Sequence, residues 1–190
     1  KKGIDMVCDT VKVTIGPRGR NVLLQTGGRP EIVNDGGVIA DGIHLKDNLE
    51  NMGAEIAKGV VRETSRSVGG GRTASAIMLQ SIVDQGMKTL QQGTDMIRVK
   101  KGMDLAYDDI VKGLTKSSRE IKGRKELMQI ATISTQDEKL ATHVVDVVEK
   151  VGKNGVVTVM KSNTQGITVE IAEGLELNRG WISEYMMTNP

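Results

Sequence analysis

The run Ser67–Val68–Gly69–Gly70–Gly71–Arg72–Thr73–Ala74–Ser75 sets three consecutive glycines between two long helical patterns. Glycines that open a helix let backbone N–H groups crowd round a phosphate, and the helix N-terminus adds partial positive charge. The run lacks the Gly-Lys-Ser/Thr ending of a P-loop, and no clear strand precedes it as in a dinucleotide fingerprint. Taken alone, such a run more often only connects two helices. Other reactive residue types are sparse. The two histidines, His44 and His143, form no ligand-like spacing with the single Cys8, so no zinc site is assigned and both read as surface or packing residues.

The elements around the glycine run are read from apolar spacing. Ile4, Val7, Cys8, Val11 and Ile15 recur at intervals of three and four, predicting an amphipathic helix over 4–15 that Gly16–Pro17 ends. Asn21–Val22–Leu23–Leu24 and Ile32–Val33 flank Gly27–Gly28 and read as a short hairpin. Asn34–Asp35–Gly36–Gly37 reads as a tight turn. Asp47 with Glu50 three residues on predicts a capped helix to about Ser67, with Leu49, Met52, Ile56 and Val60 on its inner face. A second helix carries Ile77, Met78, Ile82, Met87 and Leu90 and ends at Gly93. A third, capped by Thr94 or Asp95, carries Val99, Met103, Ala106, Ile110 and Leu114. Three such helices in series predict an antiparallel bundle.

Ser117–Arg124 is a polar break and the best domain boundary. Beyond it the pattern gives a short helix near 127–131 and another over 138–151, with Leu140, Val144, Val145, Val148 and Val151 inward and Gly152 as the stop. Val156–Val159 and the alternating Ile167–Ile171 read as strands. The fold class is therefore mainly α with small β elements, an α+β chain.

Composition bounds the function classes. With 190 residues, the chain buries about 70% of its unfolded surface, enough for one core or two small ones. There is no Phe, one Trp and two Tyr, so the core is expected from aliphatic residues, Ala and the ten Met. Lys and Arg number 26 against 24 Asp and Glu, interspersed, which gives no basic arm for nucleic acid. One cysteine excludes an internal disulfide, and Cys8 reads as a small buried apolar residue. There is no run of about 18 apolar residues and no apolar signal segment at the start, so no membrane partner is expected. The chain begins without Met and stops just after an apolar stretch, so it reads as a piece of a longer protein.

Six segments in order, Thr14–Asn21, Asn34–Gly36, Glu50–Ala54, Gly69–Ser75, Thr132–Ser134 and Val151–Val156, resemble the group I chaperonins of the GroEL type. The resemblance runs over essentially the whole chain and rests on motif order. It implies a cytoplasmic (bacterial) or organelle-matrix ATP-driven folding machine, built of subunits in stacked rings, that works with a co-chaperonin lid on non-native polypeptides. It also implies domain limits: 1–116 as the first half of an equatorial, ATP-binding helical bundle, 117–172 as the ascending half of an intermediate domain, and 173–190 as the start of an apical domain.

Residue by residue, the resemblance assigns Thr14, Ile15, Gly16 and Pro17 to the first nucleotide loop, where a simple helix stop is the competing role. Asp35 matches the acidic residue beside the γ-phosphate and its attacking water, where a carboxylate orients or deprotonates water or holds a cation. Its competing role is a bond to its own turn. Asn34 stands where the family usually has Lys, and Gly36 follows. The family loop Gly-Asp-Gly-Thr-Thr-Thr is here Gly69–Gly70–Gly71–Arg72–Thr73–Ala74. Gly70 thus replaces the Asp expected to hold the Mg²⁺ of ATP, so metal binding is in doubt and no metal ligand is assigned.

Arg72 either replaces the missing metal charge with a fork of charge-assisted hydrogen bonds or points to solvent. Ser134 matches a nucleotide contact from the intermediate domain, with the N-cap of the helix after Gln136 as its other role. Trp181, Tyr185 and Met186 match apical positions that meet polypeptide and lid, with an untethered tail as the alternative. The resulting expectation is an ATP-dependent chaperonin with a degenerate nucleotide site, inactive as an ATPase in this segment alone. The rival is a divergent paralogue serving as a structural or regulatory ring subunit without hydrolysis.

Overall fold

The computed structural model describes residues 1–26, 28–152, 155–162, 165–172, 174 and 183–186. The chain divides into two compact units, Lys1–Thr115 and Lys116–Pro190.

In the first unit, helix α1 (Lys2–Lys12) buries Gly3, Ile4, Val7, Cys8 and Val11 on one face. It stops short of the expected end, leaving Ile15 half exposed. The chain instead turns through 13–20, where Arg20 N–H donates to the Val13 carbonyl at 2.8 Å and Gly19 N–H to that of Gly16 at 2.9 Å. Strands β1 (Val22–Thr26) and β2 (Arg29–Val33) form an antiparallel hairpin with Val22 opposite Val33.

The segment expected as a tight turn at 34–37 opens a helix, α2 (Gly36–Gly42), with Asp35 as its N-cap. A short Asx turn and the first turn of a helix share the same side-chain-to-backbone bond, and the following Ile39 and Ala40 settle the outcome by burying completely. Helices α3 (Asn48–Val68), α4 (Arg72–Gln91) and α5 (Met96–Ser117) follow. Asp47 caps α3, its carboxylate accepting from Glu50 N–H at 2.9 Å.

The inner faces differ from expectation. On α3, Leu49, Met52 and Ile56 are exposed, and the buried stripe is Ala54, Ala57, Lys58 and Val61. On α4, Met78, Ile82 and Met87 are exposed while Ser75 and Ala76 are buried. Small residues win because the helices meet at short range. A Cβ on Gly3 would lie 1.7 Å from the Glu50 carbonyl oxygen. The fold is mainly helical with one small hairpin, as expected, and a helical bundle forms, but its members differ: α1, α3 and α4 pack on one another and α2 on α1 and α3, whereas α5 buries no residue. The core is aliphatic throughout, from Ile4, Val7 and Val11 to Ile39, Ala40 and Val61, without a single ring. Lys58 is fully buried in it, its Nζ reaching the Glu55 carboxylate at 2.8 Å, and that bond holds Glu55 below the usual carboxylate range.

Cys8 is completely buried, and burial first, then the Asp5 and Asp9 carboxylates, push its thiol up to about 11. In native full-length protein at pH 8, alkylation of Cys8 is expected to run at least about 10²-fold slower than in denaturant, because the thiolate is the nucleophile. Peptide mass spectrometry after a timed iodoacetamide pulse reads this directly. Equal rates in the two conditions would place Cys8 on the surface.

In the second unit, α6 (Gly123–Thr135) and α7 (Glu138–Val151) pair around Ala131, Ala141 and Val145. Leu140, expected inside, is exposed, and the buried row is again the one with alanine. Arg124 ties the two helices together through Asp146 at 2.5 Å and through Glu149. The strands expected at 156–159 and 167–171 are not formed among the described residues, where Val156, Val159 and Ile167 are exposed. Alternation marks a half-buried strand only where a neighbouring strand supplies the hydrogen bonds.

Candidate functional site

Three segments of the first unit meet in one concave site of about 340 Å³. The end of α1 brings Thr14 and Ile15, the start of α2 brings Asn34, Asp35 and Gly36, and the α3–α4 junction brings Gly70 to Ala74. Gly16 and Pro17 follow in the same turn as Thr14 but do not line the cavity.

The local sequence explains each placement. Gly69 closes α3 in the left-handed region at φ 72°, and Gly71, at φ 75°, precedes α4 in the same region. Both positions favour glycine, and between them they reverse the chain so that the first turn of α4 faces α2. Gly36 allows close approach: a Cβ there would sit 2.6 Å from Thr73 Oγ1. Thr73 and Thr14 share a hydrogen bond of 3.3 Å between their hydroxyls, linking α4 to the end of α1. Thr14 Oγ1 also donates to the Val11 carbonyl at 2.8 Å.

Asp35 does double duty. Its Oδ1 accepts from Gly37 and Val38 N–H, both at 2.9 Å, which is the cap of α2. Its Oδ2 pairs with Arg72 Nη2 at 3.1 Å, both side chains being about one-third exposed. Arg72 therefore does not point to bulk solvent; its Nη2 is held by Asp35. Among the described residues, it neutralises the one carboxylate that lines the cavity. Sequence reasoning had no signal for this pairing, because the two residues belong to different motifs.

A divalent cation does not fit these donors. Mg²⁺ requires a near-octahedral oxygen set, usually with one or two carboxylates. Here the single carboxylate has its oxygens committed to two N–H groups and a guanidinium, and Gly70 offers no side chain. Among the described residues no cluster of three or more His, Cys, Asp or Glu is placed to hold a metal.

The remaining expected site residues lie in the second unit. Ser134 is exposed in the last turn of α6, and it is not the N-cap of α7; that role belongs to Asp137, which accepts from Lys139 N–H at 2.8 Å and Leu140 N–H at 3.0 Å. Tyr185 is fully exposed and Met186 exposed, in a single 3-10 turn over Glu184–Met186. Trp181 lies outside the described residues. A larger groove of about 480 Å³ between α4 and α5, around Ile82, Val99 and Met103, contains none of the expected site residues.

The family model of the TCP-1/cpn60 chaperonin family matches residues 7–189. The chain belongs to the TCP-1/cpn60 chaperonin family. Solved chaperonins share its fold. One is the chaperonin gp146 from the bacteriophage EL 2 (Pseudomonas aeruginosa), crystallised in the presence of ATP-BeFx, at 20% identity and TM-score 0.64 over 81% of this chain and 27% of that one. Another is a group III chaperonin in the open state, at 22% identity and TM-score 0.68 over 81% of this chain and 32% of that one. The chain thus spans about a third or less of the length of these chaperonins.

Proposed function

We propose that this chain is the N-terminal part of a GroEL-type, group I chaperonin subunit whose nucleotide site binds ATP but has lost its Mg²⁺-dependent turnover. The observation that carries the reading is the convergence of Thr14, Asp35 and the Gly70–Ala74 turn on one cavity, with Arg72 paired to the carboxylate. Glycine-opened α4 presents backbone N–H groups to a phosphate chain, and Thr14 and Thr73 present hydroxyls. Asp35, capped onto α2 and paired with Arg72, is poorly placed to orient an attacking water, since both its oxygens are engaged.

The motif order supports the GroEL type. In this reading 1–116 is half of the equatorial domain, 117–172 the ascending intermediate segment and 173–190 the opening of the apical domain. Subunits assemble in rings, and Trp181, Tyr185 and Met186 meet non-native polypeptide or a co-chaperonin lid. The exposure of Tyr185 and Met186 agrees with that role. The Arg72–Asp35 pair also favours a second reading, a ring subunit that serves assembly or regulation without an ATP cycle.

Calorimetric ATP titration and phosphate release, both on full-length protein with Mg²⁺, test the proposal. ATP is expected to bind without turnover above the uncatalysed background. Steady Mg²⁺-dependent hydrolysis would remove the degenerate-site reading, and absence of any ATP binding would favour the purely structural subunit.

A further inference from the structure

We infer that Arg72 performs the bridging task of a divalent cation, tying Asp35 to the phosphate chain, so that the site takes its nucleotide as the metal-free anion. The inference rests on the nucleotide reading above and names the ionic form of the ligand. A guanidinium carries five N–H donors in a planar fork. Asp35 Oδ2 engages Nη2, and among the described residues no further partner of the Arg72 fork is found, leaving the other donors for a second anion. The ion pair and the loop mouth belong to the same cavity, so a phosphate against the α4 N-terminus lies within the reach of that fork.

The site is also shaped round the arginine. A Cβ on Gly37 would lie 2.9 Å from Arg72 Cδ and 3.2 Å from Nη1, so a side chain at 37 displaces the guanidinium. Gly37 is thereby a positioning residue for Arg72. Without a bound cation the guanidinium has another effect: its charge opposes Mg²⁺ beside the same carboxylate, whereas it attracts the more highly charged metal-free nucleotide. Arg and Mg²⁺ are alternative occupants of one position, and the chain supplies the first covalently.

Calorimetric titration of full-length protein with ATP, once in excess EDTA and once in excess Mg²⁺, tests this. The expected result is binding in EDTA at least as tight as in Mg²⁺. Arg72→Ala and Gly37→Ala are each expected to weaken binding in EDTA by about tenfold or more, with Arg72→Lys intermediate, since a charged hydrogen-bonding partner is lost or displaced. Binding that appears only with Mg²⁺ overturns the inference and leaves the nucleotide site standing. Binding in EDTA that is unchanged in Arg72→Ala also overturns it. No ATP binding in either condition overturns both readings together. The comparison of EDTA with Mg²⁺ in the unaltered protein holds even if a variant fails to fold.

Discussion

Full-length protein carrying both Gly70→Asp and Arg72→Thr is expected to hydrolyse ATP in Mg²⁺, on the order of 10²-fold above the unaltered protein, while Gly70→Asp alone stays close to background. The geometry permits the first change. Nothing lies within 4 Å of a Cβ built on Gly70, and its φ is not positive, unlike those of Gly69 and Gly71. Aspartate therefore enters without strain. What blocks the single variant is Arg72, which already binds Asp35 at 3.1 Å and stands ready to capture a second carboxylate introduced two residues away. Removing the guanidinium frees Asp35 Oδ2 at the same time as the new carboxylate arrives. The two substitutions are thus strongly non-additive, as expected for residues that share a partner. Full activity in Gly70→Asp alone would show that the ion pair does not hold in solution. Silence in the double variant would put the defect elsewhere in the site, with Asn34 and Ala74 the next candidates.

Gly3→Val is expected to be among the most destabilising single changes in the first unit, costing about 3 kcal/mol or more. A Cβ at position 3 would fall 1.7 Å from the Glu50 carbonyl oxygen, 2.7 Å from its carbon and 2.9 Å from Ala54 N. These are backbone atoms of α3 and cannot rotate away, so α1 must lift. Gly53 sits across the same contact but with more room, its Cβ at 3.3 Å from Ile4 N. There, alanine's helix advantage of about 1 kcal/mol over glycine offsets most of the crowding, and Gly53→Ala should be close to neutral. Urea unfolding of the full-length variants, followed by far-ultraviolet circular dichroism, compares the two. A Gly3→Val protein with an unchanged midpoint would mean that α1 and α3 are not packed this tightly.

The same contact explains which parts of the fold were legible in the sequence. Helix positions followed from caps and stops: Asp47 opens α3, the glycine run from Gly69 closes it and Gly152 closes α7, because those residues satisfy or release terminal backbone groups wherever the helix packs, whereas the N-cap of α7 fell to Asp137 and not to Ser134. Helix faces did not follow. Spacing of large apolar residues selected Leu49, Met52 and Ile56, but helices that touch backbone to backbone select small residues, and the core runs along Ala54, Ala57 and Val61. The buried Lys58 belongs to that stripe and carries no apolar signal at all. Helix α2 was hidden because Asn-Asp-Gly-Gly has the composition of a turn, and only the burial of Ile39 and Ala40 extends it.

For the site, the participating segments were legible as motifs, since Thr14, Asp35 and the glycine turn each have a local backbone signature. Their coupling was not. Whether Arg72 meets solvent, phosphate or Asp35 depends on how α4 is set against α2, which is decided by Gly36 and Gly37 leaving room for Thr73 and Arg72. No local property of the glycine run contains that information.

The ring-free core has an optical consequence. The first unit holds one aromatic residue, Tyr107, and it is exposed on α5, while the chain's single tryptophan falls beyond Thr115. Within this chain, tryptophan emission carries no reporter from the unit that holds the cavity, and tyrosine emission there comes from a side chain that is already hydrated when folded. The first unit can melt, or its cavity fill, with almost no change in colour. A tryptophan placed at exposed Ile15, beside the cavity mouth, would give those events a signal.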